Sequence, residues 1–320
     1  MGGLNTAHAQ LFGSSSVGTE EFPELQIVSE AKPAGMAGAY AALAEGTSAI
    51  GINPAGLARS DGQSYSGTVR YAPDGAEGGD VAYSRPFGNG SQIAISAAYF
   101  DYGSIQSYDE NGNSLGTLNP YEIYPAVTYA SALGDELKWG ASLKLAEEYQ
   151  GDFQGSQNAL GAGADAGIQF RPARNLGLSA SVVNLGVKLR GHDADEATGS
   201  DWLPADFRVG GFIHPEGLED MSIELDAEAP FYEPAALSLG YEYRIIPQWD
   251  LRAGTRWDTD DIRNLLGWAG AIQNTETGGS ALKATVGTTL EVGRADVDYA
   301  LQWWNDLGFV SMLTLTWHMD

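Results

Sequence analysis

Residues able to do chemistry are sparse here, and their spacing argues against catalysis. The four histidines, His8, His192, His214 and His318, fall into no i,i+4 pair and no finger-type spacing, so no metal site is expected. The absence of cysteine excludes disulfides, thiolate metal sites and thiol nucleophiles. There is no G-x-S-x-G elbow and no phosphate-cradling loop between a strand and a helix. Gly161-Ala162-Gly163 runs on into alternating residues and reads as close packing or a bend. The single acid–base candidate is His214, with Asp206 and Asp220 near it in sequence. The chain is therefore expected to be no enzyme and to need no cofactor.

A second charged set is larger. Glu224, Asp226, Glu242, Arg244, Asp250, Arg252, Arg256, Asp296 and Asp298 all fall on even positions of segments whose odd positions are apolar. Charges of both signs on one wall imply a hydrated or ion-paired interior, since isolated charges in an apolar core are prohibitive. Their expected work is to hold a wall together and seat whatever fills it.

The segments that carry them decide the class. Met221 to Ala227, Leu237 to Ile245, Trp249 to Trp257 and Ala295 to Trp303 alternate with a period of two, as does Leu137 to Leu145. Successive strand side chains point to opposite faces, so each segment has one apolar and one polar wall. From residue 63 onward about fourteen such strands are predicted. They lie near 63–72, 79–86, 91–101, 121–132, 136–150, 158–171, 175–187, 205–214, 219–229, 235–245, 248–258, 281–292, 295–304 and 308–318. The stretch 259–280 admits a strand pair, a short helix or a loop, and the loop is preferred. The fold class is an all-β transmembrane antiparallel barrel.

Composition agrees. No run of 18 apolar residues occurs, which excludes a spanning helix but not a barrel, whose strands show lipid only every second residue. The 42 glycines, 15 tyrosines and 8 tryptophans suit tight turns and interfacial aromatic belts. Trp249 and Trp257 share a face; at ~3.3 Å per residue and a tilt of roughly 40°, about 20 Å separates them along the membrane normal. With Trp139, Trp303 and Trp317 they are the expected girdle, in contact with outer-membrane lipid. A net charge of −25 argues against nucleic acid or a basic membrane-binding patch, and many acids fall in expected loops such as 193–196 and 258–261.

Residues 1–24 read as a signal-peptide remnant and flexible lead-in, with Ala7-His8-Ala9 before Gln10 matching a small-x-small cleavage site. Residues 25–62 break the β pattern. Ala34 to Ala44 is alanine-rich without a β-branched residue, which predicts a helix behind Pro33. Asn53-Pro54-Ala55 follows as a turn. A helical segment ahead of the first strand is placed to fold back into the lumen of the 63–320 barrel as a hatch.

Several stretches resemble the PorV/PorQ family, a branch of the FadL-like outer-membrane barrels. They are Leu25 to Val28, Ala31 to Tyr40, Ala42 to Gly46, Asn53 to Leu57, Trp139 to Lys144, Asn184-Leu185-Gly186, Leu203 to Gly210, and Gly240 to Tyr243 with Leu251 to Gly254. The resemblance spans about residues 25 to 320. It departs at Lys32, where the family often carries arginine, in the long 259–280 insert, and at the closing Trp317-His318-Met319-Asp320. It implies a barrel of fourteen strands in the bacterial outer membrane, with Gly35, Met36 and Gly38 in a packed hatch helix and Asn53, Pro54 and Ala55 as the hatch turn. Two functions follow from the resemblance. The preferred one is an accessory of type IX-like protein export, docking on a translocon barrel and receiving cargo proteins. The alternative is FadL-like uptake of a hydrophobic small molecule through a lumen gated by the hatch.

Overall fold

The structure, a computed structural model, describes residues 21–88, 90–151, 158–192, 202–268, 282, 284–305 and 308–319. The period-two segments are strands: β1 (Gln63–Tyr71), β2 (Glu77–Pro86), β3 (Ser91–Asp101), β4 (Ile105–Tyr108), β5 (Ser114–Leu118), β6 (Tyr121–Leu133), β7 (Leu137–Tyr149) and β8 (Ala159–Ala173). They continue as β9 (Leu176–Arg190), β10 (Asp206–Ile213), β11 (Met221–Pro230), β12 (Ala236–Ile246), β13 (Trp249–Asp258), β14 (Ala284–Val292), β15 (Ala295–Trp303) and β16 (Phe309–Met319). All but β4 and β5 close into one antiparallel barrel of fourteen strands, sealed by β1 on β16. The β4–β5 pair is a separate hairpin on the β3–β6 connection, where the sequence predicts no strand.

Alternation sorts the two walls. Val81, Leu143, Leu225 and Leu315 point outward, Leu143 with 72% of its surface exposed, while Glu224, Asp226 and Asp298 on the inner wall are buried. So apolar an outer surface is compatible with hydrocarbon and not with water. No helix among the described residues is long and apolar enough to cross a membrane, so spanning falls to the strands. One barrel end carries the tightest turns, including those at Gly134 and Gly293, whose φ of 85° and 68° suit glycine. In outer-membrane barrels the short turns are periplasmic. Trp139, Trp249 and Trp317 lie on the outer surface toward this end, and Trp257 and Trp303 toward the other.

Two expectations are corrected. The helix expected over 34–44 is a single turn, α1 (Ala31–Ala34), with Pro33 inside it rather than ahead of it. Ala37 and Gly38 then turn left-handed, with φ of 55° and 81°. Beyond them the amides of residues 40–43 are claimed by wall carboxylates instead of helical carbonyls. Tertiary hydrogen bonds override alanine's helix propensity. In the 259–280 stretch, where a loop was preferred, Thr259–Trp268 is a helix, α2; Asp258 Oδ1 accepts from the amides of Asp260 and Asp261 at its start. Residues 269–280, and the lead-in up to residue 20, lie outside the described residues.

Candidate functional site: the lumen and the segment that fills it

Residues 21–62 lie inside the barrel, and the wall is shaped to receive them. Inward-facing Gly140 of β7 meets Pro54 and Ala55, and Gly167 of β8 meets Asn53 and Pro54. Gly240 of β12 and Gly254 of β13 both meet Met36. Gly287 of β14 meets Gly35, where an added Cβ would lie 3.0 Å from the Gly35 Cα. A side chain at Gly140, Gly167 or Gly254 would overlap the segment's backbone or the Asn53 amide. The wall thus gives up side chains where the segment's backbone needs the space.

Hydrogen bonds fix the same contact. On β11, Asp226 Oδ2 accepts from the Tyr40 and Ala41 amides at 3.1 and 3.0 Å, and Glu224 accepts from Ala42 and Leu43 at 2.5 and 3.0 Å. Four consecutive amides that a helix would have satisfied internally are satisfied by two carboxylates two residues apart. The Asn53 side chain donates to the carbonyls of Ala41 and Ile168 at 3.0 and 3.1 Å and accepts from the Ala55 amide at 3.2 Å. It is the N-cap of a 3-10 turn over Pro54–Arg59. Gln169 donates to Ala41 and Ala44, Ser181 to Ile52, Thr285 to Gly35 and Arg208 to Gly38, at 2.8 to 3.0 Å.

Most of the other charges expected on the inner wall form ion pairs. Arg252 lies 2.6 Å from Glu242 and 3.5 Å from Asp298. Arg256 bridges Glu228 and Glu233 at 3.2 and 3.4 Å. Asp296 approaches Lys32 of the lumenal segment at 3.9 Å and His318 at 3.0 Å. Burial works to lower the Lys32 ammonium, but Asp298 and its other acidic neighbours outweigh it and hold the group above its ordinary value. Arg244, by contrast, is exposed and pairs only locally, with Asp250 at 2.9 Å.

The pairing of His214 with Asp206 does not assemble. His214 Nδ1 sits 3.1 Å from the Met221 carbonyl and 3.3 Å from the Ser222 hydroxyl. Asp206 pairs with Arg208 at the far end of β10, about 25 Å along the strand at ~3.3 Å per residue.

One side of the lumen is different. Between residues 24–52 and the wall of β1, β2, β3 and β6 lies a cavity of about 100 Å³. Apolar groups dominate its lining, among them Val28, Ile50, Ile52, Ala82, Ala98 and Phe100. The β6–β7 ladder also lacks two pairs at this level without any change of register: pairing runs to Ile123↔Glu147 and resumes at Ala126↔Lys144. Pro125, with no N–H to offer, sits in the break, and its neighbours Tyr124 and Ala126 line the cavity. Sequence reasoning found Gly35, Met36, Asn53, Pro54 and Ala55 on the segment's side of the contacts. It missed the wall residues Gly140, Gly167, Gly240, Gly254, Gly287, Gln169 and Ser181. The signal for the five glycines was their place on the polar face of an alternating strand, as in Leu239-Gly240-Tyr241.

No protein-family model and no curated protein sequence matches the chain. Solved structures do. The CymD monoaromatic hydrocarbon channel aligns with a TM-score of 0.63 over 91% of this chain and 98% of that one, at 12% identity. The Pseudomonas putida toluene transporter TodX gives 0.61 over 89% and 95%, at 13% identity. A Pseudomonas aeruginosa FadL homologue gives 0.58 over 91% and 98%, at 14% identity. The fold is FadL-like. With its apolar outer wall, this fold places the chain in the bacterial outer membrane. The FadL-like architecture is what the likeness establishes; the PorV/PorQ branch has no counterpart among these structures.

Proposed function

We propose that the barrel is a channel for small hydrophobic molecules, the alternative drawn from the sequence, in preference to an export accessory. The observation that carries this is the apolar cavity beside the lumenal segment, at the level where the β6–β7 ladder breaks. Residues 25–62 act as a hatch in this reading, with Gly35, Met36, Gly38, Asn53, Pro54 and Ala55 as the points on which it is seated. A ligand entering from outside rests in the cavity and leaves sideways past Pro125 or inward when the hatch shifts. Trp139, Trp249, Trp257, Trp303 and Trp317 anchor the barrel at the two membrane interfaces. Similarity to structures titled as hydrocarbon and toluene channels supports the same reading.

Proteoliposomes test it. In vesicles whose outer leaflet is lipopolysaccharide, which toluene crosses slowly unaided, a channel of this kind accelerates entry of toluene, while a polar solute of similar size, such as erythritol, crosses no faster than through vesicles without the barrel. Equal acceleration of both solutes would identify a plain pore, and acceleration of neither would remove the channel reading.

The export reading has one observation in its favour. The β4–β5 hairpin stands beyond the barrel rim with Ile105, Tyr108 and Leu115 exposed, the kind of apolar edge a protein partner uses. Purification from outer membranes separates the two: a co-isolated translocon barrel supports export, and a lone barrel carrying lipid supports transport.

A further inference from the structure

The cavity has a polar end as well as an apolar one. Glu30 of the lumenal segment and Asp80 of β2 line it, each more than nine-tenths buried. Glu30 accepts from the Ser66 hydroxyl at 3.1 Å, whereas Asp80 Oδ1 is buried with no hydrogen-bond partner among the described residues. The Tyr124 hydroxyl, on the same cavity, is likewise without one. A buried acceptor left without a donor is costly until something supplies one.

The cations nearby are already engaged. Arg70 pairs with Glu24 and lies over the Phe100 ring at 4.2 Å. Lys144 is 2.9 Å from Asp165 and 2.6 Å from the Asn184 side-chain oxygen. Lys32, two residues along the segment from Glu30, faces Asp296 at 3.9 Å. What remains turned toward the cavity is the unpaired Asp80 oxygen, an acceptor, beside a Glu30 carboxyl whose proton burial retains. A ligand carboxylate would meet two carboxyls there and no uncommitted cation.

We infer that this cavity is a binding site for a small hydrophobic amine. Its ammonium donates to the free oxygen of Asp80 beside Glu30, and its ring or short chain lies against Val28, Ile50 and Ala98. The size restricts the class, since about 100 Å³ is smaller than the roughly 150 Å³ cavity that admits benzene, so a short chain fits within it and a single ring enters only in part. This rests on the channel reading above and adds the headgroup to it.

Benzylamine, toluene and benzoate share a ring and differ at one substituent, so they isolate the claim. Calorimetric titration of the purified full-length barrel in detergent at pH 7 should show benzylamine binding about tenfold tighter than toluene, the gain a hydrogen bond to a charged group gives. Benzoate should not bind. Asp80→Asn preserves shape and should bring benzylamine to the level of toluene while leaving toluene unchanged. Glu30→Gln is the second variant and should act in the same direction. Ala82→Leu, which fills the cavity from β2, should abolish binding of both ligands. Three equal affinities, tightest binding by benzoate, or an amine preference that survives Asp80→Asn and Glu30→Gln would overturn the amine site and leave the channel intact. No binding of any of the three ligands would overturn both.

Discussion

Two arcs of the same wall treat the lumenal segment in opposite ways. Along β7, β8 and β12 to β14 the inward positions include Gly140, Gly167, Gly240, Gly254 and Gly287, and the segment's residues press directly onto them. Along β1 to β3 and β6 the inward positions include Ala82, Ser96, Ala98 and Ala126, and a cavity opens instead. Both arcs have shed bulk. Where backbone carbonyls and carboxylates of wall and segment also meet, the freed space becomes contact; where they do not, it stays empty. Small residues alone do not say which, and the hydrogen-bonding partners decide.

The sharpest way to break the comparison is to add side chains to the contact arc. Gly254→Val places branched carbon where the Met36 backbone now lies, and overpacking of that kind costs about 3 kcal/mol or more. Heat-modified mobility on gels should shift to a lower temperature, and the segment should become open to protease. Next comes Glu224→Ala, which leaves the Ala42 and Leu43 amides without acceptors at about 1–3 kcal/mol each. Hydrogen exchange at those two amides should rise well above that at the Tyr40 and Ala41 amides, which Asp226 still holds.

The open arc should respond differently. Ala82→Leu fills the cavity, so it should change thermal stability by less than about 1 kcal/mol while reducing toluene flux severalfold. A smaller effect is set by pH. Burial first, and the Asp80 charge second, push the Glu30 carboxyl well above the usual carboxylate range. The folded barrel therefore holds this proton more tightly than the unfolded chain does. The segment's seat is firmest below the ordinary value of about 4.5 and loosens as pH rises through the raised one. Exchange at the Ala31 amide, which donates to Thr314 at 3.0 Å, should reveal this as an extra pH dependence that Glu30→Gln flattens.

How much was legible follows the same division. The barrel was readable because lipid and water impose opposite demands on alternate residues, and strands such as Leu237 to Ile245 obey them throughout. The inward charges were readable for the same reason. The shape of residues 34–44 was not: alanine content favours a helix, and only the carboxylates of Glu224 and Asp226, far away in sequence, say otherwise. The cavity was illegible too, because Ala82, Ala98 and Ala126 lie on three strands that no local pattern brings together. The β4–β5 hairpin escaped because its strands, of four and five residues, are too short to show a period.

The account stands most directly on toluene flux into vesicles with a lipopolysaccharide outer leaflet, compared between the natural chain and Ala82→Leu. It predicts rapid entry through the first and a severalfold slower rate through the second, with unchanged exchange protection at Tyr40 to Leu43. Identical flux through the two barrels would contradict it, since the molecule would then be crossing somewhere other than the open arc.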